Sequence, residues 1–219
     1  MRPKKRDYPN LLIVEGPDDK HAVIGLMKAH VDWPQAPESW PVFVEVGNGV
    51  AGILADGYLS TELKASHVRS VGVMLDADMN PDRRYERIRQ LTAALFPDLP
   101  AAIPATGLIV DNEDGKRFGV WLMPDNQAVG DLETFLHYLV PGNQQRLWDF
   151  ACNSVATARG IGAGCRDVHL TKANLYTWLS WQDPPGQSPG LALTRKILNP
   201  KSSYAGAFVG WFKDLFRLA

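Results

Sequence analysis

Leu11-Leu12-Ile13-Val14-Glu15-Gly16-Pro17-Asp18-Asp19 is the stretch on which the fold turns. An unbroken apolar run, without polar alternation, describes a short strand buried on both faces. Glu15 and Gly16 close it. Pro17 suits the first turn of a helix, where the acidic Asp18 and Asp19 favour the positive end of the helix dipole. The same order recurs downstream. Pro41-Val42-Phe43-Val44-Glu45-Val46 reads as a second strand, Gly47-Asn48-Gly49 as a turn, and a helical segment then reaches about Lys64. Val68 to Leu75 is a third buried strand, closed by Asp76-Ala77-Asp78, and Asn80-Pro81 opens a charged helix that runs to about Leu95.

Repeated strand–helix succession predicts an α/β fold built on a parallel sheet with crossover helices. After Pro104 the pattern changes. Ala105 to Asp111 and Arg117 to Met123 flank the turn Asn112-Glu113-Asp114-Gly115, which predicts a hairpin, an antiparallel pair on an otherwise parallel sheet. From Gly130 onward the chain reads as helical, over 131–138, 143–158, 172–181, 191–198 and 204–216. The expectation is a mostly parallel sheet flanked by helices over residues 8–140. A soft boundary near Pro141 leads into a helical extension, 141–219, packed on it.

Composition narrows the function classes. The chain has 219 residues, enough to bury a single core without staples. A net charge of −1 argues against a protein that coats DNA, but leaves a nuclease open because a bound cation supplies local positive charge. Cys152 and Cys165 match no metal or redox spacing and point to a reduced, cytoplasmic setting. No apolar run approaches the roughly 20 residues that span a bilayer, so no membrane role is expected. Met1-Arg2-Pro3-Lys4-Lys5-Arg6 reads as a short basic tail without the apolar core of a signal peptide; contact with nucleic acid is its second reading.

The carboxylates carry the chemistry. Ligands of open α/β sheets gather at the carboxyl ends of the parallel strands. Glu15 ends the first strand, and Asp76 and Asp78 end the third. If those strands are neighbours, the three meet at one edge, and Asp76 and Asp78 would point the same way in an extended segment. Converging carboxylates repel one another unless a cation or protons neutralise them. Hard oxygen donors favour Mg²⁺, Mn²⁺ or Ca²⁺ over zinc. The alternative is that these acids merely end strands and cap helices.

Leu11 to Asp19 resembles the glutamate motif of the Toprim domain, and Val73-Met74-Leu75-Asp76-Ala77-Asp78 resembles its Asp-x-Asp motif. That domain is shared by topoisomerases, bacterial primases and OLD-family nucleases, and the resemblance covers roughly residues 8 to 140. In addition, Gly119 to Asn126 and Trp178-Leu179-Ser180-Trp181 resemble segments of an uncharacterised bacterial Toprim-like family. Asp19, four after Glu15, is similar to the OLD-type pattern. That pattern also implies a later acidic pair and a lysine, for which Asp131, Glu133 and Lys172 match by order and residue type only. Structurally, the same three could be an N-cap, a first-turn acid and a solvated lysine.

The resemblance implies a Mg²⁺ (or Mn²⁺) site with Glu15, Asp76 and Asp78 on one ion. Asp19, Asp131 and Glu133 would complete a second, and Lys172 would offset charge on a phosphate. Glu15 could alternatively act as general acid or base. The function so implied is a metal-dependent phosphodiesterase or nuclease acting on DNA or RNA. OLD nucleases usually carry an ATPase on the same chain; here it would be a separately encoded partner. The alternative is a non-catalytic module that binds nucleic acid or a partner, and a small-nucleotide phosphohydrolase is a third option.

Other signals carry less. Gly47 to Gly52 has dinucleotide-type glycine spacing, but its acidic partner could only be Asp76, so it reads as a tight turn. Gly160-Ile161-Gly162-Ala163-Gly164 lacks the Lys-Ser/Thr pair of a phosphate loop. The five histidines show no zinc spacing, and His21 is expected on a helix surface. Trp178, Trp181 and Trp211 are expected in the core. Arg83, Arg84, Arg87 and Arg89 either face a phosphate or form a solvated face paired with Glu86.

Overall fold

The computed structural model describes residues 4–219 and shows an α/β architecture. Strands β1 (Asn10–Val14), β2 (Phe43–Val46), β3 (Ser70–Asp76), β4 (Leu108–Asp111) and β5 (Arg117–Met123) form one sheet in the order β2-β1-β3-β5-β4. Every pairing is parallel except β4 with β5. Helices α1 (Pro17–Met27), α2 (Gly49–Ile53), α3 (Tyr58–Lys64) and α4 (Pro81–Thr92) supply the crossovers. After the hairpin come α5 (Leu132–His137), α6 (Gln145–Gly160), α7 (Leu170–Ser180), α8 (Pro189–Thr194) and α9 (Gly206–Phe216).

Burial on both faces explains the continuous apolar strands. Leu12 and Val14 face a core with α1, α5, α7, α8 and α9, while Leu11 and Ile13 face one with α3 and α4. On the first face, Trp121 of β5 packs against Phe208 and Trp211 of α9 at ring-centroid distances of 5.3 and 5.7 Å. The segment after Pro141 therefore supplies much of one layer and shares its core with the sheet. Gly72 of β3 and Gly119 of β5 are register partners, and both make room for α9. A Cβ at either would sit 2.9 or 2.7 Å from Leu215 Cδ2, closer than packed atoms approach.

Several sequence expectations change. The helix expected from the Gly47 turn to Lys64 is two helices, because Leu54 leaves helical geometry and Gly57 adopts φ +84°. Trp178 and Trp211 are buried, but Trp181 is 41% exposed: it follows the last turn of α7 and packs at a tilt against the exposed Phe150 instead of entering the core. Of the basic tail, Met1 to Pro3 lie outside the described residues. Lys5 is held on the surface by Glu62 at 2.6 Å.

Candidate metal centre

Because β1 and β3 are parallel neighbours with Val14 opposite Met74, their carboxyl ends deliver Glu15 and Asp76 to the same edge. The Asp76 N–H donates to Glu15 Oε1 at 2.8 Å. Asp19, in the first turn of α1, folds back to accept the Gly16 N–H at 2.9 Å and is only 8% exposed. From the other side α5 brings the Leu132 N–H to Asp76 Oδ1 at 2.9 Å, and places Glu133, 9% exposed, beside it. Glu15, Asp19, Asp76, Asp78, Asp131, Glu133 and Lys172, all predicted from the sequence, line one cavity of about 400 Å³.

Three of them are held by particular partners, and for Asp131 the structure shows the N-cap role that the sequence offered as its alternative. Asp131 is the N-cap of α5: Oδ1 accepts the Thr134 N–H at 2.8 Å and Oδ2 accepts the Thr171 hydroxyl. Both oxygens are thus engaged. Asp78 does not continue the extended strand but turns to φ +51°, so it does not simply parallel Asp76. Its backbone makes an antiparallel bridge to Gly130, with mutual N–H to carbonyl bonds of 2.8 Å, and its carboxylate pairs with Arg84. Gly130 itself has φ +145°, and a Cβ there would lie 3.0 Å from Thr134 Oγ1. Lys172, on the first turn of α7, reaches Asp18 at 3.1 Å and Glu133 at 3.5 Å.

The electrostatics follow from burial and crowding. Burial first, then repulsion from Glu15, Asp19, Asp131 and Glu133, pushes the Asp76 carboxyl up to about 9. Burial and the Glu15 charge lift Asp19 to about 7. Glu15 is raised by burial, although the Asp76 amide and Arg84 pull it back. Glu133 is raised by burial and Asp131, against the pull of Lys172. For Lys172, burial acts downward, yet its bond to Asp18 and the Glu133 charge leave it above its ordinary value. A buried cluster with this bias needs protons or a cation to neutralise it.

Glu15, Asp19 and Asp76 each anchor one oxygen on a backbone amide, which orients the carboxylate. All are hard oxygen donors, the set suited to Mg²⁺ or Mn²⁺. Their chemistry fits such an ion. Among the described residues no three His, Cys, Asp or Glu side chains already stand as a ready coordination group. Holding an ion would therefore require side-chain adjustment within the cavity.

Sequence reasoning missed Asp18, whose Oδ2 accepts from both Lys172 and, at 3.2 Å, Tyr176 OH. It also missed Thr171, beside the chosen lysine, and the cavity-lining Val168 and His169. Asp18 was visible as a charged first-turn residue; its partner on α7 was not. His21 is exposed, as expected, and the Gly160 to Gly164 segment is a connector at the end of α6.

A family model described as "Protein of unknown function (DUF3226)" matches residues 9–217. No curated protein and no solved structure matches the chain.

Proposed function

The chain belongs to the DUF3226 family, and from that premise we propose that it is a Mg²⁺- or Mn²⁺-dependent phosphodiesterase acting on DNA or RNA. One observation carries the reading: buried and half-buried carboxylates from the end of β1, from α1, β3 and α5 line a single cavity whose lining includes Lys172. The cluster supports the resemblance to Toprim domains of the OLD type, in which the same residue types occur in the same order.

In this reading Glu15, Asp19, Asp76 and Glu133 hold the cation, and Asp78 stands at the rim. When bound, the ion neutralises the cluster and supplies Lewis acidity toward a phosphate oxygen and water. Asp131 fixes the start of α5, which sets the Leu132 N–H on Asp76 and the position of Glu133. Lys172 is placed to meet negative charge that grows on phosphate as a P–O bond breaks. In the alternative assignment Asp19, Asp76 and Glu133 hold the ion, and Glu15, lifted by burial, exchanges a proton with water or the leaving oxygen. A separately encoded ATPase as partner, and a cytoplasmic setting compatible with the free Cys152 and Cys165, belong to the same proposal.

A second reading is a non-catalytic module that keeps the same site for metal-assisted binding of nucleic acid or a partner. Incubation of labelled single- and double-stranded DNA and RNA with the protein and Mg²⁺ or Mn²⁺ separates the two. Cutting that depends on the ion and disappears in Asp76→Asn is expected. Cutting by neither protein, with either ion, on any of the four substrates would refute a hydrolase that acts without the separate partner.

A further inference from the structure

A second cavity, of about 710 Å³, adjoins the carboxylate centre and shares Asp78 with it. Its two walls differ in chemistry. Helix α4 presents Arg83, Arg84 and Arg87, while α2 and the loop after β3 present Val50, Leu54 and Met79. Arg84 binds Asp78 at the junction of the cavities, and Arg87 meets the exposed Asp56 at 2.7 Å. Arg83 is exposed and has no carboxylate partner among the described residues. Met79 is 84% exposed, an apolar side chain held in water at the mouth. Glu86 also lines the groove, but it pairs with Arg89 at 3.5 Å.

A solvated helix face would explain the arginines, but not the apolar wall opposite or the continuity with the acidic cavity. A nucleotide chain matches both walls. Guanidinium groups take phosphate oxygens in paired hydrogen bonds, and the faces of sugars and bases pack on apolar side chains. The adjoining acidic cavity takes the scissile phosphate only with its charge offset, whereas the groove holds the flanking nucleotides without the ion.

We propose that this groove is the strand-binding subsite: it holds the phosphates and bases of a single-stranded polynucleotide next to the phosphodiester that enters the carboxylate centre. The assignment rests on the reading of that centre as a phosphodiesterase and narrows its substrate class to a single strand that the groove grips beside the scissile bond. Arg83 and Arg87 grip the backbone, Met79 and Leu54 support a base, and Arg84 links the groove to the centre through Asp78.

The test is fluorescence anisotropy of a labelled single-stranded oligothymidylate with the full chain in EDTA, across a salt series, for wild type and the double variant Arg83→Gln/Arg87→Gln. Wild type should bind, and the variant should bind about tenfold or more weakly. Its log–log salt slope should fall by about 1.4, the loss of two single-strand phosphate contacts. The double variant Arg83→Lys/Arg87→Lys should recover most of the slope, which separates charge from a folding defect. No binding by wild type, equal binding and slope in the glutamine variant, or thymidine monophosphate competing as well as the oligomer would each overturn the groove. Mg²⁺-dependent cutting of the same oligomer is read in parallel. Cutting with arginine-independent binding sinks the groove alone, whereas arginine-dependent binding without cutting sinks only the hydrolase that acts without the separate partner.

Discussion

With the cation chelated, the stability of this protein is expected to fall as pH rises, and Asp76 is the residue to probe. Its carboxyl moves from an ordinary value of 3.8 to about 9 in the folded chain. The folded state therefore binds a proton that the unfolded state has released. Stability from this group is complete below the unfolded value and drains away as pH climbs toward the folded one. The slope for one such proton is about 1.4 kcal/mol per pH unit, so pH 5 to 7 should cost roughly 3 kcal/mol. For a chain of this size that corresponds to a melting shift of roughly 5–10 °C. Asp19, raised to about 7 by the same causes, adds to the fall below neutrality. Asp76→Asn keeps the shape and removes the titration. Urea unfolding in EDTA at pH 5, 6, 7 and 8 should give a clearly flatter profile for this variant than for wild type. A wild-type profile that is level or rises over that range, or an Asp76→Asn profile of equal slope, would refute the electrostatic reasoning.

Other expectations follow from particular contacts. Lys172→Met should leave cation affinity within a few-fold of wild type but lower the rate of cutting by about 10²-fold, measured under single turnover. Asp131→Ala should cost about 1 kcal/mol of urea stability through the lost N-cap, and should weaken the cation less than Asp76→Asn does. Leu215→Ala should lose about 2–5 kcal/mol, because the side chain is buried against the glycines of β3 and β5. Gly119→Ala should also destabilise, by overpacking against the same side chain, and calorimetric melting would check both.

Much of the fold was legible because the strands are buried on both faces. The run Leu11 to Val14 and the run Val71 to Leu75 carry no alternation to mislead, and each is closed by the acid that enters the site. Their adjacency, only conditional in the sequence, is what brings Glu15 to the Asp76 amide. What was not legible depends on partners distant in the chain. Gly72 and Gly119 look like weak strand residues until Leu215 arrives between them. Trp181 has the same local pattern as Trp178, but the end of α7 turns it outward onto Phe150. Asp18 reads as a helix-dipole residue until α7 supplies Lys172 and Tyr176. Asp78 was assigned its direction from strand geometry, which the left-handed turn and the bridge to Gly130 replace.

The central claim, that the carboxylate cavity holds a divalent cation, is tested most directly by Mn²⁺. Binding to wild type and to Asp76→Asn at pH 7.5 should be followed by electron paramagnetic resonance of the free ion, with Mg²⁺ as competitor. Saturable binding to wild type, displaced by Mg²⁺ and weakened at least tenfold in Asp76→Asn, is the result predicted by the buried and half-buried carboxylates of Glu15, Asp19, Asp76 and Glu133. Equal Mn²⁺ affinity in the two proteins, or none in wild type, would mean that the cluster is neutralised by protons alone, and the account of the site would be contradicted.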